Sequence, residues 1–325
     1  MTWKHRIISD QELTAVTHLP ITDLPSRIAA LIAQQQATWK MLCDATEALA
    51  QAQYKELRVK DAKVLVQFNP ARIVSTAAKV DAASIKQRPC FLCAENLPTE
   101  EKGIAFGENY VVLCNPFPVL KNHLVISHRQ HTPQAIADKF TDFLDLTKAV
   151  GSDFFTLYNG PACGASAPDH HHFQACSRAA VPLFDEVENW PRNYQTQQEA
   201  FTFFTLADYR LNVLIARGTE KRNIAAWFAE MLLALAPVAS DFLIEPMLNL
   251  AATYDAQGWT VYLFPRAKHR PACYFAEGEK QLTVSPAGID LAGVLVVPQP
   301  EHFARITAQD VEKIYDEITL KFGKE

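Results

Sequence analysis

Short β-rich runs joined by proline-stiffened turns constrain the fold of this chain more than any other sequence feature. The clearest pair is Tyr110–Cys114 and Leu124–Ser127, with Asn115-Pro-Phe-Pro118 between them. Aliphatic and aromatic runs of this length are typical of strands, and the short proline-containing connection favours antiparallel pairing. The sequence therefore predicts an antiparallel sheet in this part of the chain.

Similar runs alternate with segments of helical spacing along the whole chain. In the first half we predict strands at 63–68, 154–157 and 170–175 and helices at 24–56 and 133–150; in the second half we predict strands at 201–204, 211–216 and 259–264 and helices at 224–235 and 308–322. With 325 residues and 49% hydrophobic content, the chain is long enough for two domain-sized units. We therefore predict an α+β fold with two halves, residues 1–183 and 184–325.

Two connecting segments are also predicted from the sequence. Ala71–Arg88 has no regular spacing of apolar residues and is predicted to be a loop that leads to Cys90. The segment 184–198 contains the step Trp190-Pro191 and is predicted to link the two halves.

Composition excludes several functional classes. A net charge of -5 and a pI near 6.1 argue against a protein that grips a nucleic-acid backbone. The start of the chain does not resemble a secretory signal and no apolar run is long enough to span a bilayer, so we expect a cytoplasmic protein without a membrane partner. Seven cysteines, two of them in Cys90-Phe-Leu-Cys93, favour metal or thiol chemistry over a disulfide framework.

The segment His170-His-His-Phe-Gln174 concentrates groups suited to catalysis. In a strand, alternate side chains share a face, so His170, His172 and Gln174 would line one face and the other two residues the opposite face. A neutral imidazole is a competent nucleophile near neutral pH, and a glutamine amide donates hydrogen bonds to phosphate oxygens without a charge. Three consecutive histidines are also compatible with a surface metal site or a polar strand edge.

The stretch before the histidines favours the catalytic interpretation. Tyr158-Asn-Gly-Pro-Ala-Cys-Gly-Ala-Ser166 consists mainly of small residues, which let backbone N–H groups approach a phosphate closely. Ser166 adds a hydroxyl group. A phosphate-binding loop beside aligned histidines indicates nucleotidyl transfer by histidine attack on phosphorus.

Cys90 and Cys93 have the spacing of half a zinc site, because two sulfurs of one tight turn reach the same tetrahedral ion. The sequence alone leaves the other ligands open. His131 and His170 are the favoured candidates, and the competitors are Cys163, His123 and His128. Alternatively, Cys90 and Cys93 are ordinary buried thiols.

Basic residues elsewhere are candidates for contacts with phosphate. Arg72 follows a predicted strand and could reach a diphosphate, or it is a solvated turn residue. Lys268-His-Arg270 forms a compact cationic cluster suited to a phosphate acceptor, and such clusters are also common on solvated surfaces.

Taken together, these motifs resemble the histidine-triad superfamily, and within it the transferase and phosphorylase branch. That branch includes galactose-1-phosphate uridylyltransferase, diadenosine tetraphosphate phosphorylase and GDP-galactose phosphorylase. The resemblance rests on Arg88–Cys93, Asn115–Pro118, His123–His131, Asn159-Gly160, Gly164–Ser166 and His170–Gln174. The runs 211–215 and 261–266 resemble the degenerate second repeat of these families, so two tandem histidine-triad-like repeats with antiparallel sheets and flanking helices are expected.

The resemblance implies roles for particular residues. His172 would be the nucleophile that forms a covalent nucleotidyl-histidine, and Gln174 would hold the phosphate. A structural zinc ion would be bound by Cys90, Cys93, His131 and His170. Contacts to phosphate would come from Asn159, Gly160, Gly164 and Ser166 in the first half and from Arg266 and Lys268 in the second.

The resemblance also implies an activity. We expect a phosphorylase-type nucleotidyltransferase that acts on a sugar nucleotide or a dinucleoside polyphosphate, with inorganic phosphate or a sugar phosphate as acceptor, in a monomer or homodimer. One alternative is a hydrolase, which Gln174 opposes because the hydrolase branch has a third histidine at that place. The other is a zinc-stabilised nucleotide-binding protein without turnover.

Overall fold

The computed structural model of the protein describes residues 2–17, 21–73, 82–179, 181–236 and 244–321. Its strands are β1 Gln53–Val59, β2 Ala62–Phe68, β3 Gly103–Phe106, β4 Tyr110–Cys114, β5 Leu124–His128, β6 Phe154–Asn159, β7 His172–Ser177, β8 Arg192–Gln198, β9 Phe201–Leu206, β10 Leu214–Gly218, β11 Leu248–Asp255, β12 Gly258–Pro265 and β13 Val294–Val297. Its α-helices are α1 Asp10–Thr17, α2 Leu24–Thr38, α3 Lys40–Ala50, α4 Ala82–Gln87, α5 Phe140–Ala149, α6 Pro182–Asn189, α7 Lys221–Leu235, α8 Ala272–Phe275, α9 Gly288–Leu291, α10 Pro300–Arg305 and α11 Ala308–Ile318.

One ten-stranded sheet runs through both halves of the chain, in the order β3-β4-β5-β7-β6-β11-β12-β10-β9-β8 with antiparallel neighbours. Each half of the chain contributes five strands to this sheet. From each edge inward, these five strands stand in the sequence order first, second, third, fifth and fourth. A helix follows the third strand in both halves, α5 in the first and α7 in the second. The predicted α+β fold with two tandem repeats is therefore confirmed.

The two halves meet where β6 pairs with β11, and Asn159 lies directly opposite Asn249. A second, three-stranded sheet has the order β1-β2-β13, in which β13 of the second half runs parallel to β2 of the first. Both halves thus contribute to both sheets. The predicted boundary between residues 183 and 184 stays a prediction.

Alternating residues of the central strands enter two different cores. Tyr158 and Leu250 belong to one apolar cluster, whereas their neighbours Leu157 and Ala251 belong to the other. The first cluster includes residues of α5 and α7, and the second includes residues of the small sheet and α11. Because both faces are covered, the centre of the sheet is a buried and rigid support for side chains at its strand ends.

The predicted linker at 184–198 is wrong. Its first part belongs to α6, where Leu183, Phe184 and Val187 are buried on one helical face after Pro182 at the helix start. Its second part is β8, which pairs on one side only with β9 and is therefore rich in polar, exposed residues. An edge strand of this kind has the composition of a loop.

Other predicted elements shift in extent. The predicted loop 71–88 contains α4 near its end, while residues 74–81 lie outside the described residues. The predicted helix 133–150 begins only at Phe140, and the strand predicted from His170 begins at His172. Within the ranges that the structure describes, no helix is both long and apolar enough to cross a bilayer.

Candidate active site

His172 is the first residue of β7, where it pairs with Ser127 of β5 near the middle of the large sheet. Its Nδ1 lies 2.8 Å from the carbonyl oxygen of His170. Because a carbonyl oxygen only accepts hydrogen bonds, Nδ1 carries the proton and Nε2 keeps its lone pair. The side chain is buried, and this burial lowers the pKa of His172 below its usual value of 6.5. The imidazole is therefore neutral, with Nε2 as its nucleophilic nitrogen.

Gln134 holds the backbone of His172 from both sides. Its Oε1 accepts the His172 N–H at 2.8 Å, and its Nε2 donates to the carbonyl oxygens of His172 and Asn159, both at 3.0 Å. Gln134 is completely buried, so these bonds are not exchanged with water. No sequence motif points to Gln134, since a single glutamine before a helix belongs to none.

His172 and Gln174 line a common cavity, whereas the residues between and before them point elsewhere. Phe173 packs in the core, and the ring of His171 lies 4.7 Å from it on the same side of the strand. Burial lowers the pKa of His171 to about 3, so this histidine is also neutral. The alternation expected for a strand thus separates His172 from His171.

Two adjoining cavities surround the site. The larger, about 600 Å³, includes His172 in its lining and has mainly apolar walls. The smaller, about 90 Å³, is more polar and is lined by residues of both halves. The residues that line both are Arg72, Asn115, Ser166 and Gln174. An apolar pocket next to a small polar one suits a ligand with a ring at one end and phosphate at the other.

Gln174 is oriented by His123. The Val119 N–H donates to Nδ1 of His123, so Nε2 of His123 carries the proton and donates to Oε1 of Gln174 at 2.8 Å. Burial lowers the pKa of His123 to about 4, which keeps the ring neutral. With its oxygen engaged, Gln174 has its amide N–H groups left to meet a ligand.

The loop after β6 is built for close backbone approach. Gly164 has φ +117°, and a Cβ there would lie 2.6 Å from Cβ of Ala287. Among the described residues, the backbone N–H groups of Gly164 and Ser166 have no acceptor. These two N–H groups and the Ser166 side chain are available to an anion in the small cavity, which both residues line.

Asn159 and Gly160 differ in the hydrogen-bonding groups that they leave free for a ligand. Oδ1 of Asn159 accepts from Asn249 at 2.8 Å and from the Gly288 N–H at 2.9 Å, which leaves its amide nitrogen on the side of the small cavity. The Gly160 N–H instead donates to the Leu248 carbonyl oxygen, only 2.7 Å from where a Cβ would stand. Gly160 therefore permits close packing against β11, and its N–H is not free for phosphate.

The structure does not bring Arg266 and Lys268 to the cavities. Arg266 is buried and its guanidinium donates to Asn249 and to the carbonyl oxygens of Ile318, Pro286, Lys268 and His269. These bonds occupy all five of its N–H groups. Lys268 forms an ion pair with Glu317 at 2.8 Å on the surface. Arg266 therefore anchors the end of β12 and positions Asn249.

The next two residues of the basic cluster do line the small cavity. His269 is neutral, because burial lowers its pKa to about 4, and Arg270 donates to the Ser285 hydroxyl at 3.0 Å. Arg72 and Asp290 lie in the same lining. Both carboxylate oxygens of Asp290 accept backbone N–H groups, and burial raises its pKa to about 6. The small cavity therefore has a cationic balance.

Cys90, Cys93, His131 and His170 form a group whose ligand atoms all lie within 4.8 Å of one another. The Cys90 and Cys93 sulfurs lie 3.2 and 3.5 Å from Nδ1 of His170, and the Cys93 sulfur lies 3.3 Å from Nδ1 of His131. Nε2 of His170 lies 2.8 Å from the carbonyl oxygen of His128 and therefore carries the proton. Its Nδ1 is thus the unprotonated nitrogen and faces the sulfurs.

This arrangement fits a zinc ion, whose ligands are two thiolates and two imidazole nitrogens in tetrahedral sites. Burial raises the pKa of Cys90, and that of Cys93 to about 12, so the pair is protonated unless a cation is bound. The competing candidates have other partners. His123 bonds Gln174, Cys163 donates to the Leu248 carbonyl oxygen, and His128 accepts from the Gln130 N–H.

Comparisons with known proteins agree with this architecture. Residues 31–177 match a domain of unknown function (DUF4922), and residues 186–323 match the family described as GDPGP1-like, C-terminal domain. Among curated proteins, none matches the chain.

The fold is also similar to that of solved structures. The crystal structure of yeast Ap4A phosphorylase Apa2 matches with a TM-score of 0.59 at 15% identity, over 88% of this chain and 96% of that chain. Its complex with Ap4A matches with a TM-score of 0.58 at 15% identity, over 86% and 96%. The complex with AMP gives 0.56 at 14% identity, over 88% and 96%.

The chain therefore has the same fold as yeast Ap4A phosphorylase Apa2, which is the fold that the motifs predicted. More narrowly, its second half is similar to the GDPGP1-like C-terminal family. The resemblance stated from the motifs is thereby confirmed.

Proposed function

We propose that this chain is a phosphorylase-type nucleotidyltransferase in which His172 carries the nucleotidyl group. The donor is a sugar nucleotide or a dinucleoside polyphosphate, and inorganic phosphate is the favoured acceptor. The single observation that carries this proposal is the bond from Nδ1 of His172 to the His170 carbonyl oxygen, which leaves Nε2 unprotonated beside the larger cavity. A buried, neutral and oriented imidazole is a ready nucleophile.

The reaction has two balanced steps. Nε2 of His172 attacks the α-phosphorus of the donor, so that an N–P bond forms while the P–O bond to the departing phosphate group breaks. The leaving group departs as a phosphate ester anion and needs no proton. An oxygen of inorganic phosphate then attacks the same phosphorus, the N–P bond breaks, and a nucleoside diphosphate is released. The Nδ1 proton stays on the bond to His170 throughout.

Neutral donors bind the reacting phosphate in this proposal. The Gln174 amide, the N–H groups of Gly164 and Ser166, and the Asn159 amide belong to residues that line the small cavity, and Gln174 and Ser166 also line the larger cavity beside His172. Donors fixed in position before the reaction stabilise the charge that develops on the phosphate oxygens. Arg72 lines both cavities and supplies positive charge there.

Zinc has a structural role in the proposal. When bound by Cys90, Cys93, His131 and His170, it would cross-link the loop at residues 90–93 to the segment that precedes β7. His170 then has two fixed contacts, its side chain on the ion and its carbonyl oxygen on Nδ1 of His172. The ion therefore acts through the position of His172.

One similarity and one feature of the cavity support the choice of a phosphorylase. The yeast structure of similar fold is an Ap4A phosphorylase and was solved with Ap4A bound. In this chain, the small polar cavity has room for a phosphate ion beside Gln174. The cytoplasmic location and the monomeric or homodimeric state stay predictions from the sequence.

Labelled inorganic phosphate tests the reaction. Incubation with a panel of nucleotide sugars and dinucleoside polyphosphates should place the label in a nucleoside diphosphate, and His172→Ala should abolish this. His5→Ala, an exposed histidine, is the matched control and should retain activity. Unlabelled nucleoside monophosphate as the sole product would instead identify a hydrolase. No product from any donor would favour a nucleotide-binding protein.

A further inference from the structure

The second half of the chain places a buried glutamate, Glu245, against the segment that supports His172. Glu245 is 7% exposed and lies just before β11, the strand that pairs with β6 of the first half. Its Oε2 accepts the Ile136 N–H at 2.8 Å, and its Oε1 accepts the Tyr158 hydroxyl. Among the described residues, no basic side chain forms an ion pair with this carboxyl group. A buried acidic group without a cation lowers stability, so stability alone does not account for Glu245 at this place.

The segment that carries Gln134 depends on contacts of this kind. Residues 131–136 belong to no helix or strand, so groups from other elements set their position. At the end of this segment, the completely buried Ile136 donates its backbone N–H to Glu245. That bond fixes the backbone two residues from Gln134, whose Oε1 accepts the His172 N–H.

The second contact of Glu245 holds the neighbouring strand. Tyr158 is completely buried on β6, and its hydroxyl donates to Glu245. The next residue of β6, Asn159, accepts a hydrogen bond from Nε2 of Gln134 at its carbonyl oxygen. Glu245 and Gln134 therefore join the same two parts of the chain, β6 and residues 131–136, at adjacent positions.

Both protonation states of Glu245 keep this link. Burial raises the pKa of Glu245 to about 7. As a carboxylate, Glu245 accepts hydrogen bonds from both partners. As a neutral acid, its Oε1 hydroxyl donates to the Tyr158 oxygen while Oε2 still accepts the Ile136 N–H. The link therefore does not depend on the charge of Glu245, and a glutamine at this place can form it.

We propose that Glu245 is a positioning residue for the transfer reaction, through which the second half of the chain fixes the nucleophile of the first half. Glu245 holds residues 131–136 against β6, and Gln134 of that segment holds the backbone of His172. The second half has no His-x-His-x-Gln motif of its own, and this link gives it a part in the reaction besides lining the small cavity. The inference rests on the proposed function, because it needs a reaction at His172.

A double-mutant cycle in the full-length protein tests the link, with the donor of the panel that yields a labelled nucleoside diphosphate. Glu245→Ala should lower kcat about 10-fold and change KM less, because a displaced nucleophile slows the reaction more than it weakens binding. The double variant with Gln134→Ala should be no slower than Gln134→Ala alone, since both substitutions act through the position of His172. Wild-type kcat in Glu245→Ala would overturn the proposal, and so would a double variant slowed by the product of the two single effects.

Two further variants separate positioning from stability. Glu245→Gln retains both hydrogen bonds and should keep the wild-type kcat. The matched control is Glu186→Gln on α6, because Glu186 also accepts a backbone N–H, that of Lys63, and a tyrosine hydroxyl, that of Tyr209, and lines neither cavity. Loss of its ion pair with Arg210 should lower Tm and leave kcat unchanged. A kcat as low in Glu186→Gln as in Glu245→Ala would show that stability alone is responsible.

Hydrogen exchange tests the link independently of turnover. By NMR, the His172 N–H should exchange about 10-fold faster in Glu245→Ala than in the wild type, while the N–H of Ala175 in the same strand should keep its rate. Equal acceleration of both would mean general destabilisation and would contradict the proposal. If labelled phosphate enters no product but the His172 N–H alone is accelerated, the proposed transfer reaction fails and the positioning of His172 by Glu245 stands.

Discussion

The imidazole of His172 donates its Nδ1–H to the main-chain carbonyl oxygen of His170, while the side chain of His170 faces the sulfurs of Cys90 and Cys93. One residue thus belongs to the candidate metal site through its side chain and to the candidate nucleophile through its backbone. This relationship links a structural ion to the orientation of the reactive nitrogen, and it gives each part a separate test.

Substitution of Gln134 tests whether the position of His172 limits the reaction. Gln134→Ala removes three hydrogen bonds from the backbone around His172 and leaves the His172 N–H buried without an acceptor, at a cost of about 1–3 kcal/mol. We expect kcat to fall about 10-fold or more, with a smaller change in KM. Steady-state kinetics would show this, and Gln130→Ala, an exposed glutamine nearby, should behave as the wild type. A change in KM alone would contradict the positioning role.

The pH dependence of kcat/KM follows from the lowered pKa of His172. Burial disfavours the imidazolium, so the ring stays neutral and nucleophilic down to a pH below its usual 6.5. Activity should therefore be constant near neutral pH and decline only on the acid side of 6.5, as His172 gains a proton. A profile measured in a constant ionic strength buffer checks this, and an acid limb with its midpoint above 6.5 would be inconsistent with a desolvated nucleophile.

Metal analysis tests the cysteine and histidine group. The purified protein should contain about one zinc ion per chain, and Cys93→Ser should lose it, with a fall in Tm of more than about 5 °C. Cys43→Ser changes a free cysteine on α3 and should retain both metal and Tm. Full metal content in Cys93→Ser would show that the ion is held elsewhere.

Substitutions of two glycines with positive φ distinguish a role of Gly164 in phosphate binding from the effect of backbone strain alone. Gly164→Ala combines a φ of +117° with a Cβ that would stand 2.6 Å from Ala287, and we expect a KM for the nucleotide raised about 10-fold or more. Gly107→Ala has a φ of +55° but open space around its Cβ, so it should lose some stability and keep its KM. Kinetics and thermal melting of both variants distinguish the two effects; equal KM values would remove Gly164 from the phosphate site.

Sequence patterns predicted the parts of the site that depend on local periodicity. Strand alternation separates His172 and Gln174 from His171 and Phe173, and the cysteine spacing brings Cys90 and Cys93 together. The repeated order of strands and helices also predicted the tandem architecture. The first two features are encoded within a few neighbouring residues, and the third in the order of elements along the chain.

Other features depend on contacts between distant segments, and no local pattern encodes them. Gln134 gains its significance only because the fold buries it next to His172. Arg266 was predicted to meet phosphate, yet the chain folds five acceptors around its guanidinium, and the same basic segment places Arg270 in the cavity instead. The presence of a basic residue in the sequence does not show where its side chain points in the folded chain.

Covalent modification of His172 is the central claim of the proposed function, and mass spectrometry tests it directly. Wild-type protein mixed with the nucleotide panel in the absence of phosphate should gain the mass of one nucleoside monophosphate residue. Peptide mapping under non-acidic conditions should locate that mass on His172, and added phosphate should discharge it as a nucleoside diphosphate. Absence of the adduct with every donor, or an adduct that persists in His172→Ala, would contradict the claim.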